Sequence, residues 1–191
     1  MADSAVLWRR LDLPGHDHAR LSPRPGGWLL SGTALFAHGG LPCRLDYRVL
    51  CDPAWQTESA TVEGWAGGEP VRVRLAADAE RRWRLDGAEQ PQVEGCVDVD
   101  LGFTPATNLL ALRRLALPVG AAAEVRSAWL DFPGFAMEPL PQRYRRTGES
   151  TYAYESSGGA FTAELRVNAA GFVTHYPRLW TEERDGSAKP R

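Results

Sequence analysis

Lysine is almost missing from this chain: of 22 basic residues only Lys189 is not an arginine. With 24 acidic residues the formal charge is −2, so there is no basic excess to draw in nucleic acid or an anionic membrane surface. Arginine differs from lysine in presenting a planar fork to carboxylates and phosphates, although composition bias alone accounts for such a count. Cysteine is scarce too. Cys43, Cys51 and Cys96 are odd in number, widely spaced and without a CxxC, which argues against a disulfide framework or a zinc finger and for buried thiols. No stretch approaches the roughly 20 apolar residues of a membrane span. Nor is there an apolar run ahead of Arg9, Arg10 and Asp12, so no signal peptide is expected and a cytoplasmic location is. His16-Asp17-His18 offers two imidazoles in a predicted turn with no third ligand, and no GxSxG surrounds Ser127 or Ser156-Ser157. Neither a metal, a cofactor nor a nucleophilic serine is expected.

What the chain does have is period-two alternation. Val71, Val73 and Leu75 alternate with Arg72 and Arg74; Trp83 and Leu85 with Arg82, Arg84 and Asp86; Phe161, Ala163, Leu165 and Val167 with Thr162, Glu164, Arg166 and Asn168. Such segments are half-buried antiparallel strands. Turn signals at Leu13-Pro14-Gly15, Gly39-Gly40, Asp52-Pro53, Gly67-Gly68, Ser157-Gly158-Gly159 and Asn168 to Gly171 separate them. The expected fold is mainly β: a single domain over residues 1–182, with an antiparallel curved sheet or incomplete β barrel and one short buried helix, followed by a disordered tail at 183–191. Residues 61–86 and 151–176 share an order of strand, Gly-Gly, strand, Asp78-Ala79 or Asn168-Ala169, strand. Two similar halves and two ordinary hairpins both fit that pattern.

The stretch Gly95 to Gly120 breaks the pattern. Thr104-Pro105 reads as a helix start, with Thr as cap and Pro at the first position, and the helix should run from Pro105 to Arg114. Leu109, Leu110, Leu112 and Leu115 cover more than one stripe, so burial on most sides is expected. Arg113 and Arg114 fall in the last turn, where cations suit the helix dipole. Just upstream, Asp98 and Asp100 alternate with Val97, Val99 and Leu101, placing both carboxylates on one strand face.

The run Gly-Cys-x-Asp-x-Asp-Leu from Gly95, then Thr-Pro-x-Thr-Asn, then Arg-Arg-Leu, resembles the bacterial family named putative glycolipid-binding proteins, formerly a domain of unknown function. Trp8-Arg9-Arg10 with Gly15, Cys51-Asp52 with Trp55, Gln142-x-Tyr144, Gly171-Phe172-Val173 and Tyr176-Pro177 agree in order, so the resemblance covers about residues 5 to 182. It implies a curved sheet with an apolar helix on its concave face, and a glycolipid or other amphiphile as partner.

The residues then sort into candidates for such a cavity. Of seven tryptophans, Trp55, Trp83 and Trp129 lie within or beside strands and could line it, since indole is a broad apolar face with one N–H donor. Asp98 and Asp100 could accept hydrogen bonds from sugar hydroxyls or pair with Arg113 and Arg114; Asn108, Tyr144 and His175 complete the candidate ligand set. Binding without catalysis is the leading reading. One alternative is a small enzyme acting on a sugar or lipid derivative with Asp98 or Asp100 as base and His175 as partner, with Cys96 as a conceivable thiol. Another is a protein-interaction module using open sheet edges. Oligomeric state is left open.

Overall fold

The computed structural model describes residues 3–184. Its first half is a meander of β1 (Ser4–Arg10), β2 (Gly15–Arg24), β3 (Gly27–His38), β4 (Leu41–Cys51), β5 (Thr57–Ala66), β6 (Glu69–Ala77), β7 (Trp83–Leu85) and β8 (Ala88–Glu89). A 3-10 turn at Pro91–Val93 leads to β9 (Val99–Leu101) and the helix α1 (Asn108–Leu115). The second half comprises β10 (Ala122–Leu130), β11 (Met137–Arg146), β12 (Thr151–Ser156), β13 (Phe161–Val167), β14 (Val173–Tyr176) and β15 (Trp180–Glu182). All belong to one curved sheet in the order β8-β7-β6-β5-β4-β3-β2-β1-β15-β14-β13-β12-β11-β10-β9. Every neighbour is antiparallel except β9 beside β10.

Two consequences follow from that order. The first and last strands meet in the middle of the sheet, and the two edge strands, β8 and β9, are consecutive in sequence. The link between them crosses the open side without closing it. Gly95 N–H donates to Arg81 O, Thr57 N–H to Val97 O, and Val99 N–H to the Thr57 hydroxyl oxygen. On the far side Gln92 donates to Met137 O and Arg126 to Glu94 O. The sheet is therefore strapped rather than closed, and the fully closed alternative, a β barrel, is corrected: β8 and β9 share no ladder.

Alternation sets what each strand buries. In β2, Asp17, Ala19 and Leu21 point inward while His16, His18 and Arg20 point out, and β4 repeats this with Cys43, Leu45, Tyr47 and Val49 inside. His16, Asp17 and His18 thus lie in a strand, not the expected turn, and His38 ends β3. Gly32 is required where Tyr47 crosses it, because a Cβ there would sit 2.3 Å from the phenol oxygen. The three cysteines are buried free thiols, and burial pushes Cys51 up to about 12. The segments 61–86 and 151–176 build the same kind of meander with the same turn. Asp78 N–H donates to Arg82 O, Arg81 N–H to Asp78 O and Arg82 N–H to the Asp78 carboxylate; Asn168 makes the equivalent three bonds with Phe172 and Gly171.

The helix begins later than Thr104-Pro105 suggests. Thr107 is its N-cap and makes no side-chain cap bond, and Leu109 and Leu110 N–H groups bond three residues back, to Ala106 and Thr107. Thr104 accepts from Ala106 N–H but turns its proton to Asp17, so tertiary chemistry takes the residue the cap would have used. Asn108 to Leu112 are all buried, as the leucine pattern implied. At the other end Glu183, placed in the expected tail, still donates its N–H to Leu7 O and pairs with Arg9 and His16. Residues 185–191 of that tail lie outside the described residues.

Candidate binding pocket

The crossover from Asp98 to Asn108 carries polar groups toward both halves of the sheet. On the β1–β8 side Asp17 is wholly buried; Tyr47 O–H donates to its Oδ1 at 3.1 Å, and the Thr104 hydroxyl donates to its Oδ2. Burial pushes the Asp17 carboxyl up to about 7, against the opposing pull of the Thr104 and Tyr47 hydrogen bonds. Asp17 and Tyr47 are sealed and satisfied internally, and Thr104 separates them from the pocket it lines.

On the β9–β15 side the arrangement is open. Asp100 on β9 accepts from Gln142 Nε2 at 2.7 Å, and the same amide donates to Tyr154 O–H at 3.0 Å while its Oε1 accepts from Ser127 at 2.8 Å. Those three contacts fix the amide's orientation. Burial raises the Asp100 carboxyl to about 6; Gln142 opposes and the charge of Asp98 adds to the rise. Asp100 lies at the wall of an open pocket of about 270 Å³ whose other walls include Trp129, Tyr154, Phe161, Tyr176 and Trp180. Gly102 is needed there: a Cβ would stand 2.7 Å from the Trp129 indole nitrogen. Tyr154, Phe161 and Tyr176 meet edge to face in a triangle, with centroids 5.9 to 6.2 Å apart.

The ten candidate residues separate accordingly. Asp100, Asn108 and Trp129 line this pocket. Tyr144 stands behind it, donating to Asn108 Oδ1 at 3.0 Å, and Asp98 is held away by Arg114, whose Nε and Nη2 reach its two oxygens at 3.0 and 2.5 Å. Trp83 is a core residue, 1 % exposed, with its indole N–H on Cys96 O at 2.8 Å. Arg113 and Trp55 sit apart from the pocket. Arg113 donates to the Ala170 and Ala169 carbonyls and lies 5.7 Å from the Trp55 ring, which stacks on Trp28 at 4.6 Å. Arg113 also lines a second, larger cavity of about 620 Å³ with Arg146 and Tyr152. His175 pairs in register with Arg166 and Thr181, on the strand face opposite to its neighbour Tyr176. Asp100 and His175 are therefore not brought together. Among the described residues no cluster of His, Cys, Asp or Glu could hold a metal ion.

Sequence reasoning passed over Asp17, Gln142, Tyr154, Tyr176 and Trp180. A signal was present: four of the five tyrosines lie between 144 and 176, and in β11 and β12 Gln142, Tyr144, Tyr152 and Tyr154 all occupy inward positions. The arginines between them, Arg143 and Arg145, are exposed as the alternation requires.

Comparison with known proteins agrees with this architecture. A family model described as putative glycolipid-binding matches residues 5–182. A crystal structure of a DUF1089 family protein from Pseudomonas aeruginosa is similar in fold, with a TM-score of 0.76 and 28% sequence identity over 95% of this chain and 92% of that one. No curated protein matches the sequence.

Proposed function

Since the chain belongs to the putative glycolipid-binding family, we propose that it binds the polar head of a glycolipid-like amphiphile in the Asp100 pocket and does no chemistry on it. The observation carrying this reading is the pocket's composition: aromatic walls around a single charged acceptor. Rings of Tyr, Trp and Phe offer the apolar faces of a sugar a stacking surface, while Asp100 and Asn108 supply polar contacts that fix orientation. About 270 Å³ is small beside the roughly 300–1,000 Å³ of pockets for drug-sized ligands, which favours a head group over a whole amphiphile. The acyl chain then lies outside, along the rim formed by Leu140, Phe161 and Leu179. The interior of the β1–β8 half offers it no room: Leu21, Leu30, Leu45, Val49 and Val62 are all buried against one another. Among the described residues no helix is long and apolar enough to cross a membrane, so the ligand comes to the protein's pocket without a helical anchor among those residues.

Titrating n-octyl glucoside, below its micelle concentration, against isotope-labelled protein tests this. The Trp129 indole resonance should shift saturably, and Trp129→Ala should abolish binding while Trp55→Ala, beside Arg113 and outside the pocket, leaves it intact. The converse pattern would move the site to the Arg113 cavity and end this reading.

A further inference from the structure

Resting on that pocket reading, we propose that the head group selected there carries an amine, bound as an ammonium between Asp100 and the aromatic walls. Among the described residues Asp100 is the one charged side chain lining the pocket and no arginine pairs with it, although Arg10 lies over the ring of Trp180 at 4.9 Å. Each neighbouring acid is accounted for differently. Asp98 is locked in a fork by Arg114, and Asp17 is sealed behind Thr104 and Tyr47. Asp100 accepts one hydrogen bond, from Gln142 on Oδ2, and among the described residues its Oδ1 receives no donor. Nor is that oxygen among the side-chain atoms sealed from solvent without a partner, so its vacant lone pairs are reachable from the pocket.

The surroundings favour a cation over a neutral donor. A carboxylate partly removed from water and without a counter-ion gains more from an ammonium than from a hydroxyl, because a charge-assisted bond is shorter and roughly twice as strong. The rings of Trp129, Tyr154 and Tyr176 line the same pocket, and ring quadrupoles attract a desolvated cation that reaches their faces. The carboxyl's rise to about 6 is the same imbalance seen as a titration: below about 6 a proton takes the place that a cation would hold at neutral pH. The groups packed around Asp100 do not compete for that role near neutrality. Asp98, just before β9, is neutralised by Arg114 from α1; Gln142 and Ser127 do not ionise; Tyr144, Tyr154 and Tyr176 are all pushed upward by burial and stay protonated. Asp17, reached through Thr104, is the other carboxyl raised into the neutral range among the described residues.

Two matched pairs of probes decide the matter: methyl glucosaminide against methyl glucoside, and cyclohexylamine against cyclohexanol, each titrated by NMR at pH 7.5. In the native chain and in Asp17→Asn, at least one amine should bind about tenfold or more tighter than its hydroxyl partner, and that preference should shrink as pH falls through about 6. In Asp100→Asn the preference should vanish, each amine falling to the affinity of its hydroxyl partner or below. If the hydroxyl compounds bind the native pocket as tightly as the amines, the amine inference is wrong and the pocket reading stands. If no probe of either pair and no n-octyl glucoside moves the Trp129 resonance, both are wrong.

Discussion

The two halves of this sheet share a backbone plan and differ in what they enclose. Residues 61–86 and 151–176 form matching meanders, down to the three hydrogen bonds that Asp78 and Asn168 each make within their turns. Inside β1–β8, however, the face is packed full with aliphatic side chains together with Trp8, Phe36 and Trp83; Tyr47 is its lone tyrosine, and its carboxylic acid, Asp17, is shut in. Inside β9–β15 the face carries Tyr144, Tyr152, Tyr154 and Tyr176, and the acid, Asp100, opens on a pocket. Buried tyrosine hydroxyls need partners, and Gln142 and Asn108 supply them beside the pocket. The first half is built to be filled; the second is built around a gap.

The comparison can be broken most severely by emptying the full half. Trp83→Ala should cost about 5 kcal/mol in denaturant unfolding, since it deletes a buried indole and orphans the Cys96 carbonyl. Trp129→Ala, at the pocket wall, should cost well under half of that while removing ligand binding. Equal losses would show that the pocket is as much core as the opposite half.

Next in size is the sealed acid. Asp17 keeps its proton to about pH 7 in the folded chain against an ordinary value of 3.8, so between those values the folded state binds more protons than the unfolded one. Its contribution is complete below about pH 4 and lost as pH rises through 7, an effect on the order of 4 kcal/mol. Asp17→Asn should accordingly raise stability by about that much relative to the native chain at pH 8 and leave it nearly unchanged at pH 4. Chemical denaturation across that range reads the difference directly, and a constant difference with pH would remove Asp17 as its source. Arg114→Leu should cost about 3 kcal/mol at neutral pH, because Asp98, 1 % exposed, then loses the partner of its buried charge. Smallest is Gly102→Ala, expected to cost about 1–2 kcal/mol and to weaken ligand binding more visibly than stability, as the new Cβ displaces Trp129.

Much of the fold could be read from residue order. Alternation in β6, β7 and β13, the turn chemistry at Asp52, Gly67-Gly68 and Asn168, and the leucine-covered helix all depend on neighbours a few residues apart. The site was legible only in part. Asp100 and Asn108 stood out because they lie in the one stretch that breaks the β pattern, and Trp129 because it is a tryptophan within or beside a strand. Gln142, Tyr154, Tyr176 and Trp180 did not, since each looks like an ordinary strand residue until β11, β12, β14 and β15 are set side by side. Thr104 shows the limit in a single residue. Its local reading as a helix cap is sound chemistry, yet Asp17, 87 positions away, takes its hydroxyl.

By itself, then, the sequence determined which face of each strand is apolar, where the chain turns, and that a short buried helix interrupts the sheet. Those properties are set by periodicity and local backbone preference, which act over a few residues. Only the tertiary structure decided which acid is sealed, which is neutralised and which faces an open pocket. Partner choice among Asp17, Asp98 and Asp100 depends on the strap between β8 and β9 carrying the crossover over both halves of the sheet. Burial and hydrogen bonding change a carboxylate's chemistry far more than its place in the sequence does, and both arise from contacts between distant segments.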